Sequence, residues 1–122
     1  MTDQLYYSEG TVVRVVDGDT LVVRARIWPG HQVETLVRLK GIDAPELKAG
    51  CERERVLAHQ ARSFLEQQAA EEPIWLSAIR SGQYAGRVLA RVTIDSGADL
   101  STQLLAVGLA RVYAGSTRLS WC

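Results

Sequence analysis

The chain has no surplus of charge of either sign: 14 Lys and Arg residues stand against 14 Asp and Glu. That excludes a broad basic field for gripping polyanions, so any attraction to a nucleic acid must be local. Long apolar runs are also missing, and none approaches the roughly 20 residues that carry a helix across a bilayer. Met1 to Gly10 lacks the basic start and apolar stretch of a signal peptide. The chain as given therefore reads as soluble and cytoplasmic; a removed leader would make it periplasmic or secreted. No internal repeat, low-complexity tract or interdomain linker divides the sequence. Its 122 residues, 47% of them apolar, suffice for one domain with its own core.

Cysteine is scarce, with only Cys51 and Cys122. Neither has a second thiol nearby, which is not the spacing of a zinc site even if His59 is added. A disulfide and two free thiols both remain open. A disulfide would need an oxidising compartment and would tie the end of this chain near its acidic segment.

What is present begins with punctuated β-type sequence. Thr11 to Val16, Leu21 to Ile27 and Gln32 to Leu39 are rich in Val, Leu, Ile and Thr, and Asp17-Gly18-Asp19 and Trp28-Pro29-Gly30-His31 separate them into three antiparallel strands. Pro45 is expected to close the third. From Cys51 to about Glu71 the apolar period lengthens: Val56, Leu57, Ala61, Phe64, Leu65 and Gln68 mark a helix, stopped by Pro73. Ile74 to Ile79 and Val88 to Ile94 form a second strand pair. A short helix from about Leu100 to Val107, ended by Gly108, precedes an extended piece through Leu109 to Tyr113. Five strands with a helix between the third and fourth predict an α+β, mainly β fold, a five-stranded OB-like barrel with two to three helices.

Two of the breaks carry chemistry. Asp17-Gly18-Asp19-Thr20 and Asp43-Ala44-Pro45-Glu46 each abut a strand, with Arg38 between them, so a divalent metal and a phosphodiester could meet there. Calcium takes carboxylate, carbonyl and water oxygens at about 2.3–2.6 Å, and two carboxylates with one carbonyl leave places for water and a phosphate oxygen. Phosphodiester hydrolysis builds negative charge on five-coordinate phosphorus, which an arginine fork stabilises through paired hydrogen bonds at every relevant pH. Each piece alone has a plainer reading. Asp-Gly between apolar runs is a hairpin signal, Asp43 to Glu46 reads as a strand end before a helix start, and Arg38 and Arg87 read as solvated charges. His31 and His59 have no convincing partner, and Trp28, Trp75 and Trp121 read as core or edge packing.

Four segments occur in one order: Val16-Asp17-Gly18-Asp19-Thr20; Val37-Arg38-Leu39 through Gly41-Ile42-Asp43-Ala44-Pro45-Glu46; Tyr84-Ala85-Gly86-Arg87-Val88-Leu89-Ala90; and Leu105 to Ala110, ending Gly-Leu-Ala. Through them the chain resembles the staphylococcal nuclease family over about Glu9 to Tyr113. The resemblance implies a five-stranded barrel, one calcium ion, and hydrolysis of DNA and RNA to products with a 3′-phosphate. It assigns Asp19 and Asp43 to the metal together with the main-chain carbonyl of Ala44, where the family more often has Thr. Asp17 and Thr20 match positions that order water near the metal and orient the turn. Arg38 and Arg87 match the two family arginines, and Glu46 matches the general base that takes a proton from the attacking water. Tyr84 and Tyr113 fall near segments that contact nucleotide. A monomer acting on nucleic acid, without a membrane, is the expected state.

Departures from the family pattern bear on affinity more than on ligands. The hairpin between Asp19 and Arg38 is longer than in the best-known relatives. The basic loop after Glu46 shrinks to Leu47-Lys48-Ala49-Gly50, so binding of long polymers should be modest. Beyond Tyr113 there is no room for a third long helix, and Trp121 packing or Cys122 is expected to hold the tail. The rival classes are a catalytically weak OB-type module that binds nucleic acid or protein, and a metal-stabilised structural domain. The full set Asp19, Arg38, Asp43, Glu46 and Arg87 argues against a pure binder.

Overall fold

Three hairpin pairings, one parallel pairing and one antiparallel pairing of first strand with fifth close the sheet. The computed structural model describes residues 7–70, 73–82, 86–113 and 119–122. β1 (Ser8–Asp17), β2 (Thr20–Trp28) and β3 (His31–Leu39) form an antiparallel meander, β1 and β2 turning through Gly18-Asp19. After β4 (Ile42–Asp43) and α1 (Glu52–Ala69), β5 (Ile74–Ser81) and β6 (Arg87–Ile94) form a second hairpin, followed by α2 (Leu100–Ala106) and β7 (Arg111–Val112). The barrel order is β1-β2-β3-β6-β5, with β5 pairing back onto β1. β3 and β6 run parallel, Leu36 opposite Arg87 and Leu39 opposite Ala90. The expected five-stranded barrel is thus the architecture, with two helices among the described residues. None of the described helices is long and apolar enough to cross a membrane.

Side-chain alternation explains which face closes inward. Val37 and Leu39 are fully buried while Arg38 between them points out, as a two-residue period requires. Leu21, Val23, Ile74, Leu76 and Val92 fill the inside, and Leu65, Leu100 and Leu104 cap it from the helices. Each such side chain contributes about 1.5–3 kcal/mol when buried.

Helix α1 keeps Ala61, Phe64 and Leu65 of its expected face and departs from it at Val56. Val56 is half exposed, and the buried stripe is Glu54, Ala58, Ala61, Leu65 and Ala69. The reason is distance. A Cβ placed on Gly18 would lie 2.6 Å from the Ala61 Cβ and 3.1 Å from the Ala44 Cβ. Only small residues permit the helix to approach the β1–β2 turn so closely, so alanine rather than the larger apolar residues marks the contact.

The third strand also ends earlier than Pro45. Gly41 takes a φ of 82°, a conformation that costs a side-chain-bearing residue strain. The chain therefore leaves the barrel at Lys40-Gly41, and Ile42-Asp43 becomes a separate strand. It pairs with β7, Ile42 opposite Val112 and Asp43 opposite Arg111, and the Tyr113 N–H donates to the Gly41 carbonyl at 2.9 Å.

The two cysteines are joined: Cys51, the N-cap of α1, is bonded to Cys122 across 71 residues of chain. On the chain-entropy account, closing a loop of that size restricts the unfolded state by about 4 kcal/mol.

The Gly18 contact yields a direct test. Gly18→Ala should destabilise the fold by about 1–3 kcal/mol, the usual cost of forcing a methyl into a packed contact. Urea unfolding measures it, and a midpoint equal to that of wild type would show that α1 is free to retreat.

Candidate active site

Asp19 is the best-fixed side chain at the mouth of the first hairpin. The Thr20 hydroxyl donates to its Oδ1 at 3.0 Å, and the Ala44 N–H donates to its Oδ2 at 3.2 Å. Arg38 Nη1 lies 3.5 Å from the same Oδ2, and that nitrogen also donates to the Leu39 carbonyl at 3.1 Å. The Asp19 carbonyl meanwhile accepts from the Leu39 N–H at 2.8 Å. One residue thus joins the β1–β2 turn, the end of β3 and the segment after β4. Because Ala44 follows Asp43 directly, this contact brings the two acidic segments of the sequence together.

Asp43 is buried at the end of β4. The Trp121 indole N–H donates to its Oδ2 at 3.3 Å, and the Arg111 guanidinium sits 3.8 Å from the centre of the same indole ring. Glu46 lies in the exposed turn beyond Pro45. Its backbone is held instead of its side chain: the Glu46 N–H donates to Glu54 Oε2 at 2.9 Å, and the Glu54 N–H donates to Cys51 Sγ at 3.4 Å. A carboxylate that can reach water is thereby carried on a fixed backbone.

Asp17 accepts from the Leu47 N–H at 3.4 Å, which fastens the turn to the segment after Glu46. Burial pushes the Asp17 carboxyl above its ordinary range; the Leu47 hydrogen bond opposes that, and the neighbouring Asp19 charge adds to it.

The remaining expected residues divide. Arg38 and Arg87 both occupy outward positions, since Leu36 faces Arg87 and Arg38 faces Leu89 in the parallel pairing, two residues further along. Both are half buried. Tyr113 follows β7 and sits beside Gly41, its backbone fixed there. Tyr84 lies outside the described residues. His31 stacks edge-on against Trp28 at the tip of the long hairpin, 5.7 Å between ring centres, away from the acidic turn. A solvent-open depression of about 900 Å³ lies there too, lined by Glu9, Arg26, Trp28 and Gln32 among others. Its described lining includes none of Asp17, Asp19, Asp43 and Glu46, so the acidic turn is the better candidate.

Asp19 and Asp43 suit a hard cation. Both are buried carboxylates oriented by hydrogen-bond donors, and buried negative charge is costly unless countered. Among the described residues the one group of three side chains with ligand atoms within 4.8 Å of one another is Cys51, Glu54 and Cys122. Its sulfurs are joined in the disulfide and are not thiolate ligands. A calcium site of two carboxylates, a main-chain carbonyl and water needs no third side chain.

Sequence reasoning missed Glu54 and the contact of Trp121 with Asp43. Glu54 is visible in retrospect as a carboxylate in register with Ala58 and Ala61 on the buried helix face. For Trp121 nothing in the sequence indicates Asp43.

The family described as Staphylococcal nuclease homologue matches residues 36–119, well over half of the chain. The chain belongs to that family. No individual curated protein matches it.

The raised Asp17 value gives a pH-dependent expectation. Asp17 is harder to ionise in the fold than in the unfolded chain, so the stability it supplies is full below the ordinary carboxylate value. That stability is lost as pH rises through the raised folded value. Asp17→Asn keeps an acceptor for the Leu47 N–H and removes the charge. In chelator it should melt above wild type at pH 7 and no higher than wild type at pH 3; a lower melting temperature at pH 7 would contradict this.

Proposed function

We propose that this chain is a calcium-dependent nuclease that hydrolyses phosphodiester bonds of DNA or RNA. One observation supports it most: Asp19 Oδ2 lies against both Arg38 Nη1 and the Ala44 N–H, so a phosphate-binding cation, the first acidic turn and the second acidic segment share one corner of the barrel. Calcium bound by Asp19, Asp43 and the Ala44 carbonyl would polarise a phosphate oxygen and offset developing charge.

The chain's own groups supply the rest. Arg38 and Arg87, on the same outward face, donate to non-bridging phosphate oxygens as charge grows in the transition state. Arg38 lies against Asp19, which keeps its guanidinium within reach of the proposed cation site. Glu46, exposed on a turn fixed by Glu54, takes the proton from the attacking water. Thr20 and the Ala44 N–H hold the Asp19 carboxylate in one orientation, so it does not need to reorganise when the substrate binds. Tyr113, whose backbone is fixed to Gly41, contacts nucleotide on this reading.

A chelator-controlled cleavage assay tests the proposal. Wild type should cut plasmid or oligonucleotide in calcium and stop in excess chelator, and Asp19→Ala should be inactive yet folded. Cleavage persisting in chelator, or none in calcium, would refute it.

Two variants separate the roles. Arg38→Lys keeps the charge and loses the fork, and should slow cleavage by about 10²–10³; a rate within tenfold of wild type would remove Arg38 from the transition state. Glu46→Gln should keep calcium and nucleotide affinity while lowering the single-turnover rate at least about a hundredfold. An unchanged rate would remove it from the mechanism.

A further inference from the structure

Residues 119–122 lie against the acidic corner rather than away from it. Trp121 is 6% exposed, although its neighbours Leu119, Ser120 and Cys122 are all exposed. Its indole N–H reaches Asp43 Oδ2 at 3.3 Å. Arg111 stacks on the ring at 3.8 Å and donates through Nη1 to the Ser120 carbonyl at 2.7 Å. On the far side Cys122 is covalently joined to Cys51, at the start of α1. The segment is therefore held by a cation on one side and a disulfide on the other, with its one buried side chain aimed at Asp43.

We propose that Trp121 is a positioning residue for Asp43, and that the Cys51–Cys122 disulfide keeps it there. The inference rests on the reading of Asp43 as a calcium ligand. A carboxylate has about four lone-pair sites, so an oxygen that accepts from the indole still has a pair for a cation. A neutral donor suits this position because it fixes the plane of the carboxylate without the positive charge that would compete with a metal. Arg111, which pairs with Asp43 along the β4–β7 ladder, is directed instead onto the indole face and the Ser120 carbonyl. Hydrogen-bond partners of this kind typically change metal affinity by 10–100-fold when removed.

The disulfide extends the effect. Cys51 caps the helix that carries Glu54 in its first turn, and Glu54 in turn holds the Glu46 backbone. The bond therefore joins the Asp43 side of the corner to the Glu46 side. Reduction, in which a dithiol gives two electrons and two protons and becomes a cyclic disulfide, leaves two thiols and releases residues 119–122 from α1. Among the described contacts the segment then keeps the Arg111 stack and the Arg111–Ser120 hydrogen bond, and the Trp121 N–H is no longer held covalently against Asp43.

The test is calcium affinity measured by calorimetry on the whole chain, with melting temperature in chelator measured in parallel. Trp121→Phe keeps a ring for Arg111 and lacks the N–H; it should bind calcium about tenfold or more weakly, while its melting temperature in chelator stays within a few degrees of wild type. Wild type treated with dithiothreitol, and Cys122→Ser, should show a similar loss of affinity. The double variant Trp121→Phe, Cys122→Ser should lose no more than the larger single loss, because both act through one contact. Wild-type affinity in Trp121→Phe would overturn the inference alone. If Trp121→Phe does not fold, reduced wild type decides, and unchanged affinity there overturns it equally. No calcium binding by oxidised wild type would overturn the metal reading itself, and this inference with it.

Discussion

The Asp19 carboxylate is the point at which three separately folded pieces of the chain are made to agree. Its oxygens accept from Thr20 in its own hairpin and from the backbone of Ala44 after β4, and they lie beside Arg38 at the end of β3. Its side chain gives the acidic turn, the arginine strand and the second acidic segment one shared partner. A buried carboxylate is costly to keep unless donors surround it, and the Asp19 oxygens are so surrounded. The Gly18–Ala61 approach serves the same corner, because it lets α1 and the Ala44 segment close over the turn without a side chain between them.

The barrel supplies rigidity, and the irregular pieces carry Asp43 and Glu46. Arg38 and Arg87 are on paired strands whose register fixes their spacing. Asp43 and Glu46 lie beyond Gly41, where the chain has left the barrel, and need other anchors: β7 for Asp43, and Glu54 with the disulfide for Glu46. That division explains why the covalent bond stands on this side of the molecule. The long β2–β3 hairpin, with exposed Ile27 and Trp28, extends away from the acidic corner and leaves it unchanged.

Much of this is legible from local pattern. The strand runs, the Asp-Gly turn and the order of the motifs specify the barrel and place Asp19, Arg38, Asp43, Glu46 and Arg87 near its strand ends. What is not legible arises from tertiary distance. Apolar period alone puts Val56 on the packed helix face, because it cannot tell that the partner surface is a glycine and that alanine must meet it. Pro45 looks like the strand terminator, but the positive φ at Gly41 ends the strand earlier. The pairing of Cys51 with Cys122, open from the sequence, follows from the approach of residues 119–122 to the start of α1. Trp121 reads as packing, and it does pack; that its N–H meets Asp43 depends on a contact across 78 residues, to which no local signal points.

Crystals grown with calcium, with data collected for its anomalous scattering, test the central claim most directly. The account predicts one strong peak per chain between the carboxylates of Asp19 and Asp43, within bonding distance of the Ala44 carbonyl. A peak confined to the Glu54 corner, or no peak at a calcium concentration that supports cleavage, would contradict it.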